Sequence, residues 1–80
     1  MSDDNENLPI DVVEKISEIT KLDHVASVDQ TFDNLHMGYR TSVWFDDQSR
    51  CGGTGDNRMQ SAENALLAAK THIASRFGRD

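Results

Sequence analysis

Cys51-Gly-Gly-Thr-Gly-Asp-Asn-Arg-Met-Gln-Ser-Ala-Glu-Asn-Ala-Leu-Leu-Ala-Ala-Lys70, continuing to Phe77, is the stretch that decides the fold: a glycine-broken strand runs into one long amphipathic helix. Met59, Ala62, Leu66, Ala69, Ile73 and Phe77 recur at steps of three or four, which places them on one stripe of a helix with Leu66 at its centre. Asn57 followed by Gln60 forms a near capping box. The Asn57 side chain would accept from the early backbone amides and Gln60 would reach back to the cap, which sets the helix start at about Arg58. Lys70, His72 and Arg76 lie toward the negative end of the helix dipole, and Gly78 is suited to a left-handed closing position, so the helix is expected to stop at Phe77.

The rest of the chain reads as material that covers this stripe. Leu8-Pro9-Ile10-Asp11 is a helix start, because proline fits the first turn and Asp11 and Glu14 complement the positive end of the dipole. Val12 or Val13, Ile16, Ile19 and Leu22 continue an apolar face, which predicts a first helix from about Pro9 to Lys21. Val25 to Phe32 is rich in β-formers and sets Ala26, Val28, Gln30 and Phe32 on one side at period two. After a loop from Asp33 to Gly38, the second strand alternates Tyr39, Thr41, Val43 and Phe45 with Arg40, Ser42 and Trp44. Asp46-Asp47-Gln48 is a turn, and Ser49 to about Thr54 returns antiparallel, weakened by Gly52 and Gly53. These elements predict an α+β fold of order α-β-β-β-α, in which a three-stranded antiparallel sheet carries both helices on one face. Only that face has enough alternating apolar residues to cover two apolar stripes.

Eighty residues with 36% hydrophobic content allow a single domain, taken as residues 8–78, behind an acidic segment 1–7 that is too polar to pack and is expected to fray. No apolar run approaches the roughly 18 residues that a bilayer requires, and the acidic start lacks the layout of a signal peptide. The expectation is a cytoplasmic protein without a membrane partner. The single Cys51 cannot form an internal disulfide. The net charge of -6 is uneven: residues 1–35 hold nine acids against Lys15 and Lys21, whereas residues 36–80 hold six bases against five acids. Long-range repulsion of phosphate therefore coexists with arginines in the second half that could still meet an anion.

The order helix, meander, long helix, with Gly53-Thr-Gly55 opening the last helix and Ala62-Glu-Asn-Ala-Leu-Leu-Ala-Ala69 along it, resembles the double-stranded RNA-binding domain, or dsRBD. Pro9 ahead of the first helix, the Tyr39-x-Thr41-x-Val43 core strand and the small residues of the alanine-rich face complete the likeness, which covers Leu8 to Phe77. The resemblance implies that the start of the last helix faces phosphates, that the loop between the first two strands enters a minor groove, and that a glutamate on the first helix meets ribose hydroxyls. The RNA-reading positions depart from the family. Arg58-Met-Gln-Ser-Ala-Glu63 keeps one base where the family has lysines and adds an acid, and Asp33-Asn-Leu-His-Met-Gly38 keeps His36 but not the Gly-Pro pair. The glutamate falls near Glu14 or Lys15.

No catalytic residues, metal or cofactor are expected, and no small-molecule substrate. No nucleophile signature surrounds Cys51, and His24, His36 and His72 have no second ligand at metal spacing. Gly52-Gly-Thr-Gly55 lacks the lysine and spacing of a phosphate loop. Parity places Trp44 beside Arg40 and Ser42 on the sheet face away from the helices, where a tryptophan next to arginine suits a contact anchor. The bland alternative is a tryptophan shielded by its cross-strand neighbours. The leading expectation is a non-catalytic interaction module binding a protein or a second copy of itself, through the third strand or the Trp44 face, with weak or absent RNA binding. The alternatives are a genuine double-stranded RNA binder using His36, Arg40, Arg50 and Arg58, with Glu14 on its first helix, and an acidic inhibitor that mimics nucleic acid.

Overall fold

In a computed structural model of the chain, residues 9–78 are described, so the expected fraying of residues 1–7 lies outside the described part. The elements follow in the order α1 (Ile10–Thr20), β1 (Val25–Asp33), β2 (Gly38–Phe45), β3 (Arg50–Gly55) and α2 (Arg58–Arg76). The three strands form an antiparallel sheet in the order β1-β2-β3. Ile19 of α1, Val43 and Phe45 of β2, and Ala65 and Ala69 of α2 share one buried cluster, so both helices lie on the same side of the sheet. Among the described residues no helix is long and apolar enough to cross a membrane.

Local chemistry sets each boundary. The Pro9 carbonyl accepts from the amides of Val12 and Val13 at 3.1 and 3.2 Å, so proline opens α1 where no donor of its own is needed. Of the two adjacent valines, Val12 is buried and Val13 is 47% exposed, which puts the buried line of α1 through Val12 and Ile19, two turns apart. At α2 the Asn57 side chain accepts from the Gln60 amide at 2.8 Å. Gln60 returns the bond to the Asp56 amide at 2.7 Å, one residue before the position a standard capping box uses. Gly78 does not take the expected left-handed closing position, since no described glycine has positive φ. The helix instead closes with the amides of Phe77 and Gly78 both donating to the Ile73 carbonyl, at 2.7 and 2.8 Å.

The buried line of α2 is also displaced from the expected one. Ser61, Ala62, Ala65 and Ala69 are fully covered, whereas Leu66, Ile73 and Phe77 pack at the edge of the core. The cause is Gly53 on β3: a Cβ there would lie 2.5 Å from the Asn64 carbonyl carbon and collide with the Ala65 nitrogen. Helix and strand approach too closely for anything but small side chains between them. Ala65, not Leu66, therefore occupies the centre.

Parity holds along β2, where Thr41, Val43 and Phe45 are buried. On β1 it breaks at one end. Val25 pairs with Phe45 and Ser27 with Trp44, so Ala26 is an extra residue in a bulge, and Val25 takes the core-facing place that strict alternation assigns to Ala26. In the middle of the covered face sits a polar set. Gln30 Nε2 donates to Thr41 Oγ1 at 2.9 Å, the Thr41 and Ser61 hydroxyls lie 2.8 Å apart, and Ser61 Oγ donates to the Gly53 carbonyl at 3.1 Å. Every buried side-chain polar atom among the described residues has a partner, which is what makes such a set tolerable in a core.

Candidate functional site

Alternation on paired strands divides the chemistry-bearing residues between the two sides of the sheet. Cross-strand partners share a face, so the rows Ser27-Trp44-Arg50, Asp29-Ser42-Gly52 and Thr31-Arg40-Thr54 make up the side that carries no helix. On it the Arg50 guanidinium lies over the Trp44 ring, 5.0 Å from its centroid, and Trp44 remains 39% exposed. The pairing follows from register alone, because Trp44 and Arg50 are direct neighbours across β2 and β3.

His36 and Arg40 are brought together by Asp33. One carboxylate oxygen, Oδ2, accepts from His36 Nδ1 at 2.8 Å and from Arg40 Nη2 at 3.0 Å, while Oδ1 accepts from the Leu35 amide at 3.0 Å. The hydrogen bond from His36 is the leading cause that holds the Asp33 carboxyl below its ordinary range. The Asp33 carboxylate lies against the Arg40 guanidinium and offsets part of its positive charge. The same loop exposes Leu35 (90%) and Met37 (74%), the latter with a φ of 53°.

Arg58 stands apart, on the helix side. Its Nη1 donates to Gln30 Oε1 at 3.0 Å, and its guanidinium covers the Tyr39 ring at 4.8 Å. Gln30 closes the contact by donating Nε2 to the Arg58 carbonyl at 3.0 Å. The only base at the start of α2 is thus committed to holding the helix on the sheet. Glu14 is exposed on α1, on the helix side as well. The six nominated residues therefore form two pairs, His36 with Arg40 and Trp44 with Arg50, and two separate positions. Asp33, Gln30 and Tyr39 are not among the site residues nominated from sequence, where Gln30 and Tyr39 count only as strand positions, although an aspartate three residues before a histidine at a turn is a signal for the first.

Elsewhere, Ser49 Oγ donates to Asp47 Oδ1 and lies 2.8 Å from His72 Nε2. The hydroxyl sits between acid and imidazole, whereas a hydrolytic triad needs the imidazole between the other two. Burial pushes the Cys51 thiol up, away from the thiolate that a nucleophile needs. Among the described residues no three His, Cys, Asp or Glu side chains converge as a metal site would require.

No family model matches the chain, and comparison with curated proteins and with solved structures gives no match. The functional reading therefore rests on the geometry above.

Proposed function

We propose that the chain is a non-catalytic dsRBD-like interaction module that binds protein through the helix-free face of its sheet and holds duplex RNA weakly or not at all. The observation that carries this reading is the half-exposed Trp44 with Arg50 stacked on it, on a face that no element of the described chain covers. Tryptophan and arginine are the residue types that most often anchor protein contacts, because each joins a large apolar area to a directed polar group. The element order supports the dsRBD likeness. The disposition of charge argues against RNA: the dsRBD likeness needs cations at the start of α2, and here the single base, Arg58, is bonded to Gln30 and covers Tyr39, while Asp29 and Asp33 lie on the open face.

Titration of labelled duplex RNA at two salt concentrations tests the reading. Affinity weaker than about 10 μM at physiological salt is expected, on the scale of non-specific binding. Changing Met59 and Glu63 to lysine should give a measurable gain. Nanomolar binding by the unmodified chain with a steep salt slope would overturn the proposal. In parallel, sedimentation equilibrium and retention of host proteins should show an association that Trp44→Ala abolishes while the fold persists.

A further inference from the structure

We propose that the bare patch over Gly52 on the helix-free face receives a carboxylate side chain from the partner protein, two residues along from an apolar side chain seated on Trp44. The proposal rests on the protein-binding reading above and specifies the chemistry of the partner. Arg40, Ser42, Arg50 and Thr54 surround a shallow cavity of about 260 Å³ whose floor is the Gly52 backbone. The floor is bare for a structural reason. A Cβ at Gly52 would run into the Thr41 carbonyl oxygen of the neighbouring strand, so no side chain can fill the depression from below.

Everything that rises around the floor can donate. Arg40 is exposed and gives one of its five N–H groups to Asp33, leaving the rest of its fork free, and Arg50, whose guanidinium lies over Trp44, lines the opposite corner with its N–H edge unbonded to any side chain among the described residues. The Ser42 and Thr54 hydroxyls complete the rim. Two arginines and two hydroxyls around a neutral floor complement one anion, and a planar guanidinium suits a carboxylate. A nucleic acid fits less well. Asp29 pairs with Ser42 and shares this face, and Asp33 ends the same side of β1, so a continuous phosphate chain laid across the sheet would meet two carboxylates. A peptide carries charge only where it has an acidic residue. Extended along the strands, it projects every second side chain toward the sheet at about 6.5–7 Å intervals, the same spacing that separates the Trp44-Arg50 row from the Ser42-Gly52 row.

The test is a chemical-shift titration of isotope-labelled protein with the blocked peptide acetyl-Ser-Leu-Ser-Glu-Ser-amide, its glutamine counterpart and a short oligouridylate. The glutamate peptide should move the Trp44 indole N–H and the amides of Ser42 and Gly52, saturating at millimolar concentration as befits so small a ligand. The movement should vanish in the Arg40→Gln, Arg50→Gln double variant, whose remaining spectrum shows it folded. Equal shifts with the glutamine peptide would overturn the carboxylate site while leaving protein binding by this face intact. Absence of shifts with the glutamate peptide would also overturn it, and the Trp44→Ala association experiment would then decide the wider reading separately. Tighter binding of the oligouridylate at the same amides would defeat both.

Discussion

Trp44 and Phe45 are neighbours on one strand and meet opposite fates. Phe45 is 2% exposed, stacked on His72 at 4.3 Å and tilted against Phe77 at 6.3 Å, whereas Trp44 is 39% exposed with a single arginine over its ring. The pleat alone separates them. On the covered side identity is dictated by packing, since two helices must fit there. On the open side nothing in the described chain fixes the identity of residue 44, which is why Trp44 carries the proposed contact rather than the fold.

The largest expected effect tests the covered side directly. Phe45→Ala should cost about 3–5 kcal/mol, because it removes the ring that joins β2 to the end of α2 and leaves a cavity beneath His72 and Phe77. Urea unfolding followed by circular dichroism measures it. A loss under about 1 kcal/mol would mean that the aromatic end of the core is loose, and the contrast with Trp44 would fail.

Gly53→Ala should follow, at about 1–3 kcal/mol, since the added methyl group meets backbone atoms of Asn64 and Ala65 rather than a side chain that can rotate away. Part of that cost is offset by the stiffer unfolded chain. The same denaturation experiment reads it. A neutral or stabilising result would show that α2 can lift from β3, and with it that close approach does not explain why Ala65 displaces Leu66 from the centre.

Smaller again is Trp44→Ala, expected at about 1 kcal/mol, most of it the loss of the arginine stack at an exposed site. A cost near that of Phe45→Ala would mean that the open face is structural after all. The pair of variants thus separates a residue that the fold requires from one that it does not.

The sequence made the covered face legible wherever one element decided it. Tyr39 to Phe45 alternates without interruption, and the observed burial of Thr41, Val43 and Phe45 follows it, as does the position of Trp44 on the other side. Features that depend on two elements at once were hidden. The extra residue at Ala26 exists only relative to the register with β2, and the choice of Ala65 over Leu66 depends on Gly53 lying against the helix. At the candidate site the parity of Arg40 and Trp44 was readable, whereas the place of Arg50 over the ring depends on the register of β2 with β3. The attachment of Arg58 to Gln30 was not readable, because those residues are 28 apart and meet only when α2 docks.

The smallest effect expected lies at the rim between the two faces. Asp47, in the turn joining β2 to β3, accepts from the Ser49 hydroxyl, from the Ser49 amide at 2.9 Å and from Arg76 Nε at 2.8 Å, so it ties the hairpin to the last turn of α2. These contacts, the Ser49 hydroxyl first, hold its carboxyl down at about 2 against an ordinary 3.8. A carboxyl whose pKa is lowered by folding stabilises the fold fully above its unfolded value and loses that contribution as pH falls through the folded one. The window therefore runs from about pH 4 down to about pH 2. Solvent screens the site, so the contribution is small beside that of Phe45. Melting midpoints of the wild type and of Asp47→Asn should differ slightly at neutral pH, in favour of the wild type, and converge across that window. A difference that persists unchanged to pH 2 would mean that Asp47 acts through turn geometry rather than charge, and that its contact with Arg76 does not hold the end of α2 to the hairpin.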